Sequence, residues 1–299
     1  MTKHLLVRIA STVVMSMSAF APNPLAGQTI AITGGKVFPV SGPPIDNGTV
    51  LIRDGRITAV GANITIPADA KRIDAAGKWV TPGIFNATTS LGIVEVGAVS
   101  GTVDVSAKGQ GDGVTPSLRV WEGFNPASPL LQVTRNDGVT TVGIIPRGGI
   151  IGGQGAVVAL RDGSLQNVLL RGPAAMFADI GSKGPAFGDS RAEVYQRLRS
   201  ILSEAREWPR RKRSYETNAS RPLAARPVDL EALQPVLRGE IPLAIDADRA
   251  SDLEMALQIS REFGFRLALT SATEGWKVAD QIAKANAWVL VGALNNIPR

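Results

Sequence analysis

The sequence predicts an α/β fold on three observations. Strand-like and helix-like segments alternate regularly from Ile241 to Gly292, short strands with turn punctuation fill Ile30 to Ile73, and 299 residues suffice for one large domain or two smaller ones. Strand, helix, strand, helix, strand at this spacing implies right-handed parallel crossovers, as in a (β/α) barrel or an open doubly wound sheet.

Taken in order, the chain begins like an export signal. Lys3 and Arg8 give a positive start, and "IASTVVMSMSAFA" from Ile9 to Ala21 is an uncharged apolar run too short to span a bilayer. The small-residue stretch "PLAGQ" follows, so cleavage near Ala26 or Gly27 is expected, giving a signal over 1–27 and a periplasmic or secreted product. No cysteine follows the run, so neither a lipid anchor nor a stable membrane attachment of the mature chain is expected.

From Ile30 to Ile73 a small β module is expected. In "NGTVLIRDGRITAV" two apolar runs flank Asp54-Gly55, a dipeptide that accepts the positive φ angles of a type I′ hairpin. The module is taken as residues 28–79, ending where Trp79 and Val80 begin a new apolar strand, and a second domain as residues 80–299.

Gly92 to Glu122 has little periodicity and much Gly, Ser and Thr, which predicts a long loop over one face of that domain. "GVTTVGIIP" reads as a buried strand. The glycine-rich segment 148–155 after it resembles a phosphate cradle in composition only, because neither the GxGxxG spacing nor a following Lys-Ser/Thr is present; tight turns and a bulged hairpin are expected instead.

"DSRAEVYQRLRSILSEAREW" places Val194, Leu198, Ile201, Leu202 and Ala205 at helical spacing behind a capping Asp189 or Ser190. A basic, proline-containing linker from Pro209 to Pro227 and a second helix, "VDLEALQPVLRGE", are expected next. "IPLAID", "FRLALTS" and "AWVLVG" read as strands, separated by the helices "ASDLEMALQISREFG" and "TEGWKVADQIAKAN".

Composition removes whole classes of chemistry. There is no cysteine, and the single histidine is His4 inside the presumed signal, so the mature chain has no thiol and no imidazole. Neither a Ser-His-Asp nor a Cys-His arrangement can form in it. Removing Lys3 and Arg8 from 32 basic residues leaves 30 against 26 acidic ones, a net +4 that does not argue for nucleic acid. The cluster Arg206, Arg210, Arg211, Lys212 and Arg213 reads as a solvated helix end.

Two stretches carry a family resemblance. "ITGGKVFPVSG" through "IPADAKRIDAAGKWVTPGIFNA" resembles the N-terminal segment of the amidohydrolase superfamily, in particular its imidazolonepropionase-like branch, and "IPLAIDADRASDLEMALQISREFGFRLALTSATEGWKVAD" resembles barrel strands five and six of the same branch. The resemblance implies a β-sandwich half followed by a TIM-type barrel, and hydrolysis of non-peptide carbon-nitrogen bonds in small cyclic amides by a metal-bound water. It further implies barrel units and a returning sandwich segment beyond Arg299, so the barrel is expected to be incomplete in this chain, which reads as a fragment, a frameshifted product or half of a split assembly.

The resemblance also locates a site. Thr88 and Ser90 stand where the family has two metal-binding histidines, and Asp246 and Ser271 stand where strands five and six each supply another. A catalytic zinc needs about three imidazole, thiolate or carboxylate ligands, and hydroxyls do not replace them, so no metal cofactor is expected. A hard cation held by Asp246, Asp248 and waters is the alternative, because magnesium and calcium accept oxygen ligands. Asp246 is left as a candidate base, or as a residue bonded to Thr88, Ser90 or a backbone amide. Glu274 is a further pocket candidate, with a capping role as its alternative. The expected partner is a small-molecule substrate or ligand, with an oligomer or a complementing chain open. The competing reading is a pseudoenzyme that keeps the pocket for binding or assembly.

Overall fold

The computed structural model describes residues 28–107, 113–181, 188–217 and 222–291, so the expected signal over 1–27 lies outside the described residues. The chain forms two compact units that divide between Pro82 and Gly83.

In the first unit five strands make one sheet: β1 (Ile30–Val37), β2 (Ile45–Arg53), β3 (Arg56–Gly61), β4 (Lys71–Asp74) and β5 (Trp79–Val80), in the order β3-β2-β1-β4 with β5 beside β1. The β2–β3 hairpin turns at Asp54 and Gly55, whose φ angles of 52° and 71° are those a type I′ turn requires. A second layer that would complete a sandwich is not present among the described residues. Val80 belongs here with Trp79 rather than to the next domain: the two pair with Val37 and Lys36, and the Trp79 ring lies 5.1 Å from that of Phe38.

The second unit is α/β. Its elements are β6 (Ile84–Thr89), α1 (Pro129–Asn136), β7 (Val139–Ile144), β8 (Ile151–Ala159), α2 (Leu165–Val168), β9 (Leu169–Asp179), α3 (Arg191–Glu216), α4 (Pro227–Ala232), α5 (Gln234–Leu237), β10 (Leu243–Ala247), α6 (Ala250–Phe263), β11 (Leu267–Ser271), α7 (Ala279–Lys284) and β12 (Trp288–Leu290). They build a nearly closed seven-stranded sheet, β12-β11-β10-β9-β8-β7-β6, with β6 and β12 at its ends. Only β8 runs against its neighbours; every other pairing is parallel, and β10 and β11 are the fifth and sixth strands counted from β6.

Strand alternation then sorts the side chains. Met176, Ala178, Ile180, Leu243, Ile245, Ala247, Leu267 and Leu269 face the helices, where they pack with Val194, Leu198, Leu202, Leu253 and Leu257. Phe177, Asp179, Ala244, Asp246, Ala268 and Thr270 consequently line the opposite face.

The described residues between Gly92 and Glu122 are largely irregular, as expected, but they contribute to a core. Ile93, Val105, Val120, Trp121 and Phe124 pack on Val142, Ile144, Ala156 and Val158 of β7 and β8. The glycine run serves this contact. A Cβ at Gly149 would stand 2.5 Å from the Gly113 carbonyl, one at Gly153 2.7 Å from that of Leu118, and one at Gly155 2.8 Å from that of Ile144. Glycines here let residues 113–118 lie along a bulged β8, with Thr115 Oγ1 donating to the Gly152 carbonyl and Gln154 Nε2 to that of Pro116.

Three helix boundaries differ from expectation, each through proline or strain. α3 does not yield to a linker at Pro209 but runs through it to Glu216. Proline cannot donate to the Ala205 carbonyl, and the Nε2 of buried Gln234 does so instead at 2.8 Å. The helix expected over 228–240 is split at Leu233, because Pro235 has no N–H for the Glu231 carbonyl. The last helix is confined to α7, preceded by a tighter turn over Gly275–Val278 that follows left-handed residues at Ser271 and Ala272. By contrast α6 ends where Gly264 adopts φ 72°, as a left-handed C-cap does.

Candidate functional site

β9, β10 and β11 are parallel and in register, so Asp179, Asp246 and Thr270 form one row across their C-terminal ends. In barrel and open α/β proteins that end of the sheet holds the chemistry. Asp246 is half-buried. Its Oδ2 accepts hydrogen bonds from Ser271 Oγ at 2.7 Å and from Thr270 Oγ1 at 3.0 Å. No cation pairs with Asp246 among the described residues.

Ser271 reaches Asp246 through an unusual backbone. Its register partner is Ala247, whose side chain faces the helices, and a regular strand would send Ser271 the same way. At φ 68° the residue is left-handed, with Ala272 following at 51°. The Ala272 N–H donates to both Ala247 and Thr270 carbonyls at 2.9 Å, which closes a tight turn around Ser271. A left-handed serine costs about 1–2 kcal/mol, and these bonds offset it.

The structure therefore joins two of the four positions picked out by sequence, Asp246 and Ser271. Thr88 and Ser90 lie at the end of β6, where the Thr88 N–H donates to Asn86 Oδ1 and the Ser90 carbonyl accepts from Ile93 and Val94; no hydrogen bond links either residue to Asp246. Asp246 takes its hydroxyl partners from β11, its neighbour in the sheet, and not from β6.

Glu274 has a capping part, though not for its own helix. Its Oε2 accepts from the N–H of Ala250, the first residue of α6, at 2.9 Å, and Lys277 Nζ donates to Oε1 at 2.6 Å. The Lys277 ammonium, then the Ala250 N–H, holds the Glu274 carboxyl below the usual carboxylate range. Asp248 is engaged separately, accepting from Thr273 Oγ1 and from the Thr273 N–H at 3.3 Å. Among the described residues no three His, Cys, Asp or Glu side chains converge as metal ligands would.

Sequence reasoning missed three residues here. Thr270 and Asp179 are evident only from strand register, and Asp179 accepts from the Gly181 N–H at 3.0 Å. Asp229 is fully buried and ties residues 113–118 to α4, accepting from Ser117 N at 3.0 Å, Ser117 Oγ at 2.6 Å and Arg226 Nε at 2.6 Å. The basic cluster on α3 is used locally: Arg211 pairs with Glu204, Lys212 lies 3.6 Å from Glu231, and Arg206 donates to the Glu262 carbonyl and stacks over Phe263.

No family model matches the chain. It is similar to the amidohydrolase tasK of Hapsidospora irregularis, 24% identical over 247 residues, which cover 73% of this chain and 25% of that protein. It is also similar to the imidazolonepropionase of Ralstonia nicotianae, 31% identical over 117 residues, 33% of this chain and 28% of that one. The chain thus spans only about a quarter of the length of these relatives. Among solved structures, an amidohydrolase from Thermotoga maritima MSB8 superposes with a TM-score of 0.78 at 28% identity, covering 89% of this chain and 70% of that one.

Proposed function

We propose, for a chain whose sequence relatives and structural neighbour are amidohydrolases or imidazolonepropionases, a metal-independent hydrolysis of non-peptide carbon-nitrogen bonds in small cyclic amides. The observation that carries it is Asp246 at the C-terminal end of β10, held by two hydroxyls and paired with no cation among the described residues. With Oδ2 occupied by Ser271 and Thr270, Oδ1 is the oxygen that would take a proton from water as it attacks the amide carbonyl.

The residues do not fit the zinc that the family implies. Of the four matching positions only Asp246 carries charge; Thr88 and Ser90 offer neutral hydroxyls and Ser271 has committed its hydroxyl to Asp246. No step is therefore routed through a metal. A TIM-type barrel suits the parallel pairings and the Thermotoga neighbour, and an exported, periplasmic or secreted protein suits Lys3, Arg8 and the apolar run after them. The partner we propose is a small molecule rather than nucleic acid or a membrane, with an oligomer or complementing chain beside it.

Purified protein tested on dihydropyrimidines, hydantoins, imidazolones and acyl-amino acids should turn over at least one, and Asp246→Asn should abolish it. No turnover across that panel contradicts the reading. The neutral hydroxyls at Thr88, Ser90 and Ser271 favour a second reading, a pseudoenzyme that binds such molecules or serves assembly. Ligand-induced thermal stabilisation without turnover supports that one.

A further inference from the structure

Every close pairing of an aliphatic hydroxyl with a carboxylate in the described residues can be asked whether it is built to react. Ser117 meets Asp229, but that carboxylate is fully buried and neutralised by Arg226. Ser128 meets Glu95, yet its Oγ also accepts from Leu130 N to cap α1 and the residue is 4% exposed. Thr273 and its own N–H both bond Asp248, a local turn closure. Thr270, on Asp246, is 6% exposed. Among these, Ser271 combines partial exposure with a place at the C-terminal end of a parallel strand and a carboxylate that no cation neutralises among the described residues.

We infer that Ser271 is a nucleophile and Asp246 its base, so that acyl groups pass through a covalent ester on Ser271. This rests on the reading of Asp246 as a base and replaces direct attack by water. The left-handed backbone at Ser271, between β11 and the turn that leads to α7, swings Oγ away from the helix-facing side onto the face of Asp246. A strained strand-to-helix turn that presents a serine in this way is the geometry of a nucleophile elbow, although the glycines usual on either side are absent. With neither thiol in the sequence nor imidazole among the described residues, a carboxylate is the base within reach.

The step balances. As Oγ attacks the acyl carbon its proton passes to Asp246 Oδ2, the carbon-nitrogen or carbon-oxygen bond breaks, and the leaving group takes that proton. Water then gives a proton to Asp246 and attacks the ester, and the departing Ser271 oxygen regains the proton. Thr270 keeps the carboxylate in place through both halves. The Ala272 N–H, which in such elbows faces the developing oxyanion, is already given to Ala247 and Thr270. The loss of one such donor costs about 10²–10³ in rate, so the site is suited to activated acyl donors.

The test is intact-protein mass spectrometry with p-nitrophenyl acetate, alongside p-nitrophenol release, on wild type, Asp246→Asn, Ser271→Ala and Ser271→Gly. The glycine variant accepts the left-handed backbone and guards against loss of fold. The expected result is one acetyl group on the Ser271 peptide of the wild type, none at that position in either Ser271 variant, and release about 100-fold slower in Asp246→Asn. Release that survives in Ser271→Gly but falls in Asp246→Asn overturns the covalent route and leaves Asp246 as a base for water. Release that is absent in the wild type, or indifferent to Asp246→Asn, overturns both.

Discussion

Ser271 is the register partner of a helix-facing residue, Ala247, yet its hydroxyl donates to Asp246 on the opposite face at 2.7 Å. Strain and hydrogen bond are therefore coupled at one residue, and two substitutions separate them. Ser271→Ala keeps the left-handed strain and removes the bond, so it should destabilise the fold by about 1–2 kcal/mol. Ser271→Gly removes both and should lie within about 0.5 kcal/mol of wild type. Urea unfolding of the two variants checks the difference; equal losses would contradict the strain argument.

The second prediction concerns Gln234 and Pro209, which are coupled through the Ala205 carbonyl. Gln234→Ala should cost about 1–3 kcal/mol, since it leaves buried carbonyls without a donor. In a Pro209→Ala background the alanine N–H can serve Ala205 itself, so the same substitution should cost about 1 kcal/mol less. A double-mutant cycle in urea measures this coupling.

A third concerns pH. The Glu274 carboxyl is held below its usual range by Lys277 and the Ala250 N–H, so the unfolded chain binds its proton at higher pH than the folded one. Its stabilisation is complete above the unfolded value of 4.5 and disappears as pH falls through the lowered folded value. Glu274→Gln should lower the thermal midpoint at pH 7, and the gap to wild type should narrow as pH falls below 4.5 and close once it is below the lowered folded value. Paired melts across pH 3–7 would show it.

Fourth, the glycine run should respond as packing rather than as a phosphate cradle. Gly149→Ala meets both a φ of 83° and the Gly113 carbonyl, and should destabilise by at least about 2 kcal/mol. Millimolar phosphate or nucleotide should leave the wild-type melting temperature unchanged.

Much of this fold was legible because local pattern and final structure agree. The spacing of Val194, Leu198 and Leu202 gave α3, the Asp54-Gly55 turn gave the β2–β3 hairpin, and Gly264 marked the end of α6. What was hidden depends on distant partners. Nothing near Pro209 announces that Gln234 will supply its missing hydrogen bond, so the local pattern predicts a stop there. The reversal of β8 and the row Asp179, Asp246, Thr270 arise from strand order, which a single sequence does not display. At the site, the family resemblance pointed to Asp246 and Ser271, but Asp246 takes its partners from β11 next door rather than from β6.

The central proposal is that Thr88, Ser90, Asp246 and Ser271, which match the metal-ligand positions of the resembled family, hold no metal in this chain. Elemental analysis of the purified protein, dialysed with excess zinc and then without it, tests that most directly. It should find zinc far below one per chain, unchanged by Asp246→Asn. One zinc per chain retained by the wild type and lost in Asp246→Asn would contradict the account.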